Sequence, residues 1–187
     1  MNKGQQATTS DFTETAETPS PARGKWSIAE ITEKLIAEPD QTPEDIAHFL
    51  KVHSFARLIA ELEGLDADTK EILEVTAILH DISCPLCREK YGNTNGAHQE
   101  AESAPLIRAF LTGSGYPKEF IDRVVYLVTH HHTYKDIHDM DYQILVEADF
   151  LVNAGESAKY RKLLPEMRER VFRTESGRRL LEEIYPE

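Results

Sequence analysis

Residues 42–64 read TPEDIAHFLKVHSFARLIAELEG, and this stretch decides the fold class. Its apolar side chains Ile46, Phe49, Val52, Ile59 and Leu62 return at three-to-four spacing, the period of a helix with one buried face. The ends agree. Thr42 offers a hydroxyl to the free N–H groups of a first turn, Pro43 needs no N–H there, and Glu44 and Asp45 suit the positive end of the dipole. Gly64 stands where a glycine terminates a helix, so the pattern predicts a helix over 43–63. Working outward, Ile28, Ile31 and Leu35 show the same period. A second helix starts near Asp66 or Asp68 and runs through Ile72, Val75, Ala77, Ile78 and Leu79 to His80-Asp81. A loop holding Pro85, Gly92 and Gly96 is expected next, then helices over 98–111, 118–131, 141–154, 165–172 and 177–184, with Pro105 a candidate kink. Between them lie Gly113 to Pro117, Thr133 to Asp139 and Gly155 to Leu164. No alternating strand segment has turn signals on both sides, and the expected class is all-α, a compact helical bundle.

At 187 residues, 40% hydrophobic and 29% charged, the chain has material for one core, expected over 25–187. Residues 1–24 are polar, with Phe12 the one large apolar side chain after Met1, and predict a flexible tail that cannot offset its ordering entropy. The 21 basic against 33 acidic residues give a net charge of −12, which opposes a nucleic-acid scaffold role and attachment to anionic lipid. Two cysteines, Cys84 and Cys87, make no disulfide framework and suit a reducing compartment; without a second pair or strands they read as buried free thiols. With no long apolar run and no signal-peptide core, the expectation is a cytoplasmic protein without membrane contact; a homodimer is compatible with the sequence.

The histidines fall on or beside the apolar helices. His48 precedes Val52 by four residues and Ala56 by eight, which puts it on the buried stripe; His53 lies about 140° away around the helix. His80-Asp81 closes an apolar run, and a mixed nitrogen and oxygen set there suits Mn, Fe, Co, Zn or Ni better than calcium. In Ile144-Leu-Val-Glu147-Ala-Asp149-Phe-Leu-Val152 a carboxylate faces burial on nearly every side and needs a partner or a metal ion; periodicity does not choose between Glu147 and Asp149. His130-His131-His132 ends a further helix, with His131 continuing the stripe of Val124, Leu127 and Val128.

Taken in order, His48-Phe-Leu-Lys-Val52, Ala77-Ile-Leu-His80-Asp81-Ile82 and Leu145-Val-Glu-Ala-Asp149 resemble the signature of the HD-domain superfamily of metal-dependent phosphohydrolases, over roughly 42–155. The resemblance implies an all-α fold with a divalent transition metal held by His48, His80, Asp81 and Asp149. It also picks Asp149 over Glu147 and His48 over His53. In binuclear members a His-His pair and an earlier His complete a second site, which His130, His131 and His98 resemble. These three are therefore candidates for a second ion or for substrate phosphate, with one ion expected and a second open.

The implied activity is hydrolysis of a phosphate ester of a small molecule, a nucleotide above all, through metal-activated water. Asp81 and Glu89 are the candidate catalytic carboxylates, and Arg88 and Lys90 the candidate substrate-binding cations. The loop departs from HD nucleotidases and alarmone hydrolases, which carry acids just after the His-Asp pair, because its first acid is Glu89. The alternatives are an HD-fold di-iron oxygenase and a non-catalytic metal or nucleotide-binding module.

Overall fold

In a computed structural model the chain is described at Met1 and over residues 24–186, and all the regular structure among these residues is helical. The tail expected over 1–24 falls, apart from Met1 and Gly24, outside the described residues. The order is α1 (Ile28–Ile36), α2 (Pro43–Leu62), α3 (Ala67–Leu79), α4 (Cys84–Tyr91), α5 (Gly96–Phe110), α6 (Lys118–Val128), α7 (Met140–Glu156), α8 (Ala158–Arg161), α9 (Leu164–Arg170) and α10 (Glu175–Ile184). No helix of the described residues is long and apolar enough to cross a membrane.

Local chemistry sets the boundaries. Thr42 and Asp45 form a reciprocal capping box at the start of α2, and Gly64 takes φ +71° just past its end. Asp66 caps α3 through the N–H groups of Asp68 and Thr69.

The helix α4 corrects the expected loop after His80-Asp81. Pro85 sits in its first turn, where no N–H is required, and Gly92 closes it at φ +70°. Eight residues with two small buried thiols are too few to display a period in sequence. Two further boundaries move. α6 ends at Val128, so the three histidines form a turn closed by the Thr133 N–H on the His130 carbonyl rather than a last helical turn. The stretch expected to separate helices after Gly155 contains the single turn α8, capped by Ser157.

The centre of the bundle is α7, buried without a break from Asp141 to Val152. α2 and α3 pack on it and on each other, and α10 closes its far side. Val52, Ala56, Ile59, Leu73, Leu145, Phe150 and Phe172 belong to this core. A second apolar cluster joins α1, α3, α5 and α6 through Ile31, Leu35, Leu79, Ile107, Phe110 and Val124. The polar side chains that α7 buries each find partners: Asp141 receives two hydrogen bonds from Arg123, and Glu147 receives the Arg173 and Thr174 N–H groups, the Thr174 hydroxyl and Gln143 Nε2.

Candidate metal centre

Three helices deliver the first set of side chains. His48 comes from the buried stripe of α2, His80 caps α3, and Asp149 projects from the middle of α7; all three are buried. The two histidine Nε2 atoms lie 3.2 Å apart, and Asp149 Oδ1 is 3.2 Å from that of His48 and 3.6 Å from that of His80. Asp81, in the turn after α3, brings Oδ2 to 3.6 Å and 3.7 Å from the same two nitrogens.

Outer partners fix which ring nitrogen carries hydrogen. His48 Nδ1 donates to Glu156 Oε2 at 2.8 Å and His80 Nδ1 to the Ala77 carbonyl at 2.8 Å. Neither acceptor can donate in return, so each Nε2 presents its lone pair inward. Two lone pairs facing across 3.2 Å repel unless a proton or a cation lies between them. Burial lowers the His48 imidazole, but Asp149 and the charge of Asp81 outweigh it and push the group up to about 10. Burial raises Asp149 and Asp81, and the surrounding histidines hold both well below the usual carboxylate range. This is a preformed anionic pocket that takes up a proton when nothing stronger is present.

A metal ion fits the donor set. Ligand atoms about 2.1 Å from a tetrahedral ion are about 3.4 Å apart. The contacts that the two Nε2 atoms make with each other, with Asp149 Oδ1 and with Asp81 Oδ2 span 3.2 to 3.7 Å. His48, His80 and Asp149 thus form a cluster able to hold a metal ion.

A second set adjoins the first through Asp81. Donor atoms of Asp81, His131 and His132 lie within 4.8 Å of one another, with Asp81 Oδ1 3.7 Å from His131 Nε2. His131 Nδ1 donates to the Val128 carbonyl at 2.7 Å. The Nε2 atoms of His131 and His132 are buried and have no hydrogen-bond partner among the described residues. Such orphaned nitrogens are what a ligand site looks like without its ligand. Burial and the neighbouring His131 bring His132 down to about 4, so its ring is neutral near pH 7 and free to ligate.

Several expected residues stand elsewhere. His130 donates through Nδ1 to the Tyr126 carbonyl at 2.7 Å and stacks on the Tyr126 ring, because the chain has already left the helix there. His98 stacks on Tyr91 at 3.9 Å and meets Asn93 Oδ1 at 3.2 Å. Arg88 is committed to Asp45 at the start of α2, with contacts of 3.0 and 2.5 Å, and Lys90 to Glu102 at 2.6 Å. Helical geometry is the reason, since residues two apart on α4 point to nearly opposite sides. Glu89 is exposed and lines a cleft of about 720 Å³ bordered by Lys34 of α1, Glu38 just after that helix and Phe110 of α5. His53 bonds Glu74 between α2 and α3 at 3.0 Å. Cys84 and Cys87 are free and buried, and burial together with the charge of Asp81 pushes the Cys84 thiol far up.

Sequence reading missed Glu156, Asn153 and His132. Asn153 Nδ2 donates to Asp149 Oδ1 at 2.7 Å, and Glu156 also accepts from Lys51 at 3.0 Å. Positions 149, 153 and 156 are four and three apart on α7, so the helical period carried a usable signal for the first two. His132 had none, since choosing among three adjacent histidines requires knowing where α6 stops.

Comparison with known proteins bears on the family. The family model for the HD domain matches residues 45–170, from the first turn of α2 to the end of α9. Among solved structures, the crystal structure of a predicted HD superfamily hydrolase from an uncultured Thermotogales bacterium is similar. Its identity is 25%, its TM-score 0.60, and the match covers 84% of this chain and 83% of that one. No match is found among curated proteins. With histidines and aspartates from α2, α3 and α7 converging in the order of the signature, and a family match over most of the chain, this chain belongs to the HD domain family.

Proposed function

We propose that the chain is a metal-dependent hydrolase acting on a phosphate ester of a small molecule, a nucleotide being the leading candidate. The observation that carries the reading is the inward convergence of Nε2 lone pairs and carboxylate oxygens around Asp81. Its Oδ2 faces His48 and His80 while its Oδ1 faces His131. His48, His80, Asp81 and Asp149 would hold one divalent transition metal, and Asp81, His131 and His132 a second, with Asp81 shared between them. Such ions supply Lewis acidity toward a phosphoryl oxygen and activation of water near neutral pH.

The protein's own contribution is positioning. Glu156 and the Ala77 and Val128 carbonyls hold three imidazoles by their Nδ1 hydrogens, so the ligating nitrogens stay aimed inward. Asn153 fixes the Asp149 carboxylate. Of the two carboxylates that would ligate metal, Asp81 is the one with solvent access, its side chain 26% exposed against 3% for Asp149, and it is the candidate proton acceptor for an attacking water. Glu89, Arg88 and Lys90 take no part in this arrangement. Similarity to an HD superfamily hydrolase supports the reaction class.

The test is elemental analysis joined to phosphate release. Protein reloaded with Mn, Co or Zn should release phosphate from a panel of nucleoside and sugar phosphates, and Asp81→Ala should lose metal and turnover together. Full turnover in an Asp81→Ala protein without metal refutes the reading. Oxygen uptake by the iron-loaded, reduced protein, with no phosphate release under any metal, transfers the centre to oxygenase chemistry.

A further inference from the structure

Gly96 opens α5, and its φ is not among the positive values found for Gly64, Gly92, Gly113 and Gly115. Its backbone is therefore one that any residue adopts, and helix propensity favours alanine over glycine at such a position. What excludes a side chain is space. A Cβ at 96 would stand 2.6 Å from His132 Cδ2, 2.7 Å from Cγ and 3.0 Å from its Cβ. These are the inner atoms of the ring and its stem, and they cannot swing clear by a small rotation.

The same ring packs on His131, with ring centroids 3.9 Å apart, and His131 is fully buried. The helix start is equally fixed. Asn95 caps it through the Ala97 N–H at 3.1 Å, its own N–H is held by Asn93, and Gln99 Nε2 donates to the Thr94 carbonyl. Thr133, next after His132, bonds Glu100 on the same helix at 3.2 Å.

We infer that Gly96 is a positioning residue for the second metal-ligand set: by carrying no side chain it lets α5 clamp the His132 ring against His131, which holds the orphaned His132 Nε2 beside Asp81. The inference rests on the two-ion reading above. It accounts for a half-buried glycine in the first turn of α5 that turn geometry does not require. It also gives the His132 ring, which has no hydrogen bond through Nε2 among the described residues, a steric origin for its orientation.

The experiment uses the full chain stripped with chelator, reloaded with Mn(II) and dialysed. Metal per chain is measured together with the electron paramagnetic resonance spectrum, which distinguishes exchange-coupled from isolated Mn(II). Wild type should hold about two ions with a coupled signal. Gly96→Ala should drop to about one with an isolated Mn(II) signal, matching His132→Ala. Gly96→Ala that keeps wild-type stoichiometry and coupling overturns the inference while leaving the two-ion reading intact. A single isolated ion in wild type removes that reading and the inference with it. Should Gly96→Ala fail to fold, the double variant Gly96→Ala/His132→Ala decides. With the ring gone it should fold and melt cooperatively, and a double variant that also fails to fold overturns the steric argument.

Discussion

Replacing Glu147 by alanine should unfold the bundle early and leave its metal content alone, the reverse of what Asp149→Ala should do two residues on. Glu147 is fully buried and accepts from the Arg173 N–H at 2.6 Å, the Thr174 N–H at 3.0 Å, Gln143 Nε2 at 2.7 Å and the Thr174 hydroxyl. Gln143 keeps a second acceptor in the Val171 carbonyl, so the donors left stranded are chiefly the two backbone N–H groups. At about 1–3 kcal/mol for each buried unsatisfied donor, the loss is about 2–6 kcal/mol. Relief of the carboxylate's own desolvation, seen in its raised pKa, pulls the net towards about 3 kcal/mol. For a domain of this size that lowers the melting midpoint by about 6–12 °C. Urea titration and thermal melts in chelator measure it, with elemental analysis of the same preparations before chelator is added. A Glu147→Ala protein within about 1 kcal/mol of wild type, or one that has lost metal while still folded, refutes the assignment of Glu147 to structure.

Gly177→Ala should destabilise by a similar route, since its Cβ would lie 2.0 Å from Glu147 Oε2, and adding Glu147→Ala should give less than the sum of the two losses in a double-mutant cycle. Glu156→Gln removes the carboxylate that orients His48, so metal affinity should fall by about 10–100-fold in competition with a chelating dye; an unchanged affinity would contradict that role. Metal uptake at pH 7 should release at least about one proton per chain, because the neighbouring carboxylates keep His48 protonated and raise His131 as well; calorimetry in buffers of different ionisation enthalpy reads this directly. Burial works to raise the Asp45 carboxyl, and its hydrogen bonds from Arg88 and Thr42 overcome that and hold it below its ordinary value. Its contribution is therefore complete above the unfolded carboxylate pKa of about 4 and lost as pH falls through the folded value. The stability gap between wild type and Asp45→Asn should shrink from pH 7 to pH 3 in urea melts.

Much of the fold is legible from local rules. The Thr42-Pro43 start, the Gly64 stop and the Asp66 cap lie where side-chain chemistry and helical period put them. α4 escaped because Pro85 and Gly92 read alike as loop residues or as the first turn and last residue of a short helix. At the centre, periodicity could place His48 on a buried stripe but could not rank Glu147 against Asp149, as both are buried on α7. The difference lies in what faces them: a backbone turn at 173–174 for one, imidazoles from α2 and α3 for the other.

By itself the sequence determined the all-α class, most helix boundaries, and the residue types suited to a divalent metal. Those follow from hydrogen bonding within a few residues and from the burial of one helical face, which are local properties. Only the tertiary structure decided that the His131-His132 pair, and not His130-His131, faces Asp81, and that Arg88 and Lys90 are tied to Asp45 and Glu102. Those choices depend on which direction a side chain takes once its helix ends and which helix lies opposite. Packing between distant segments sets both.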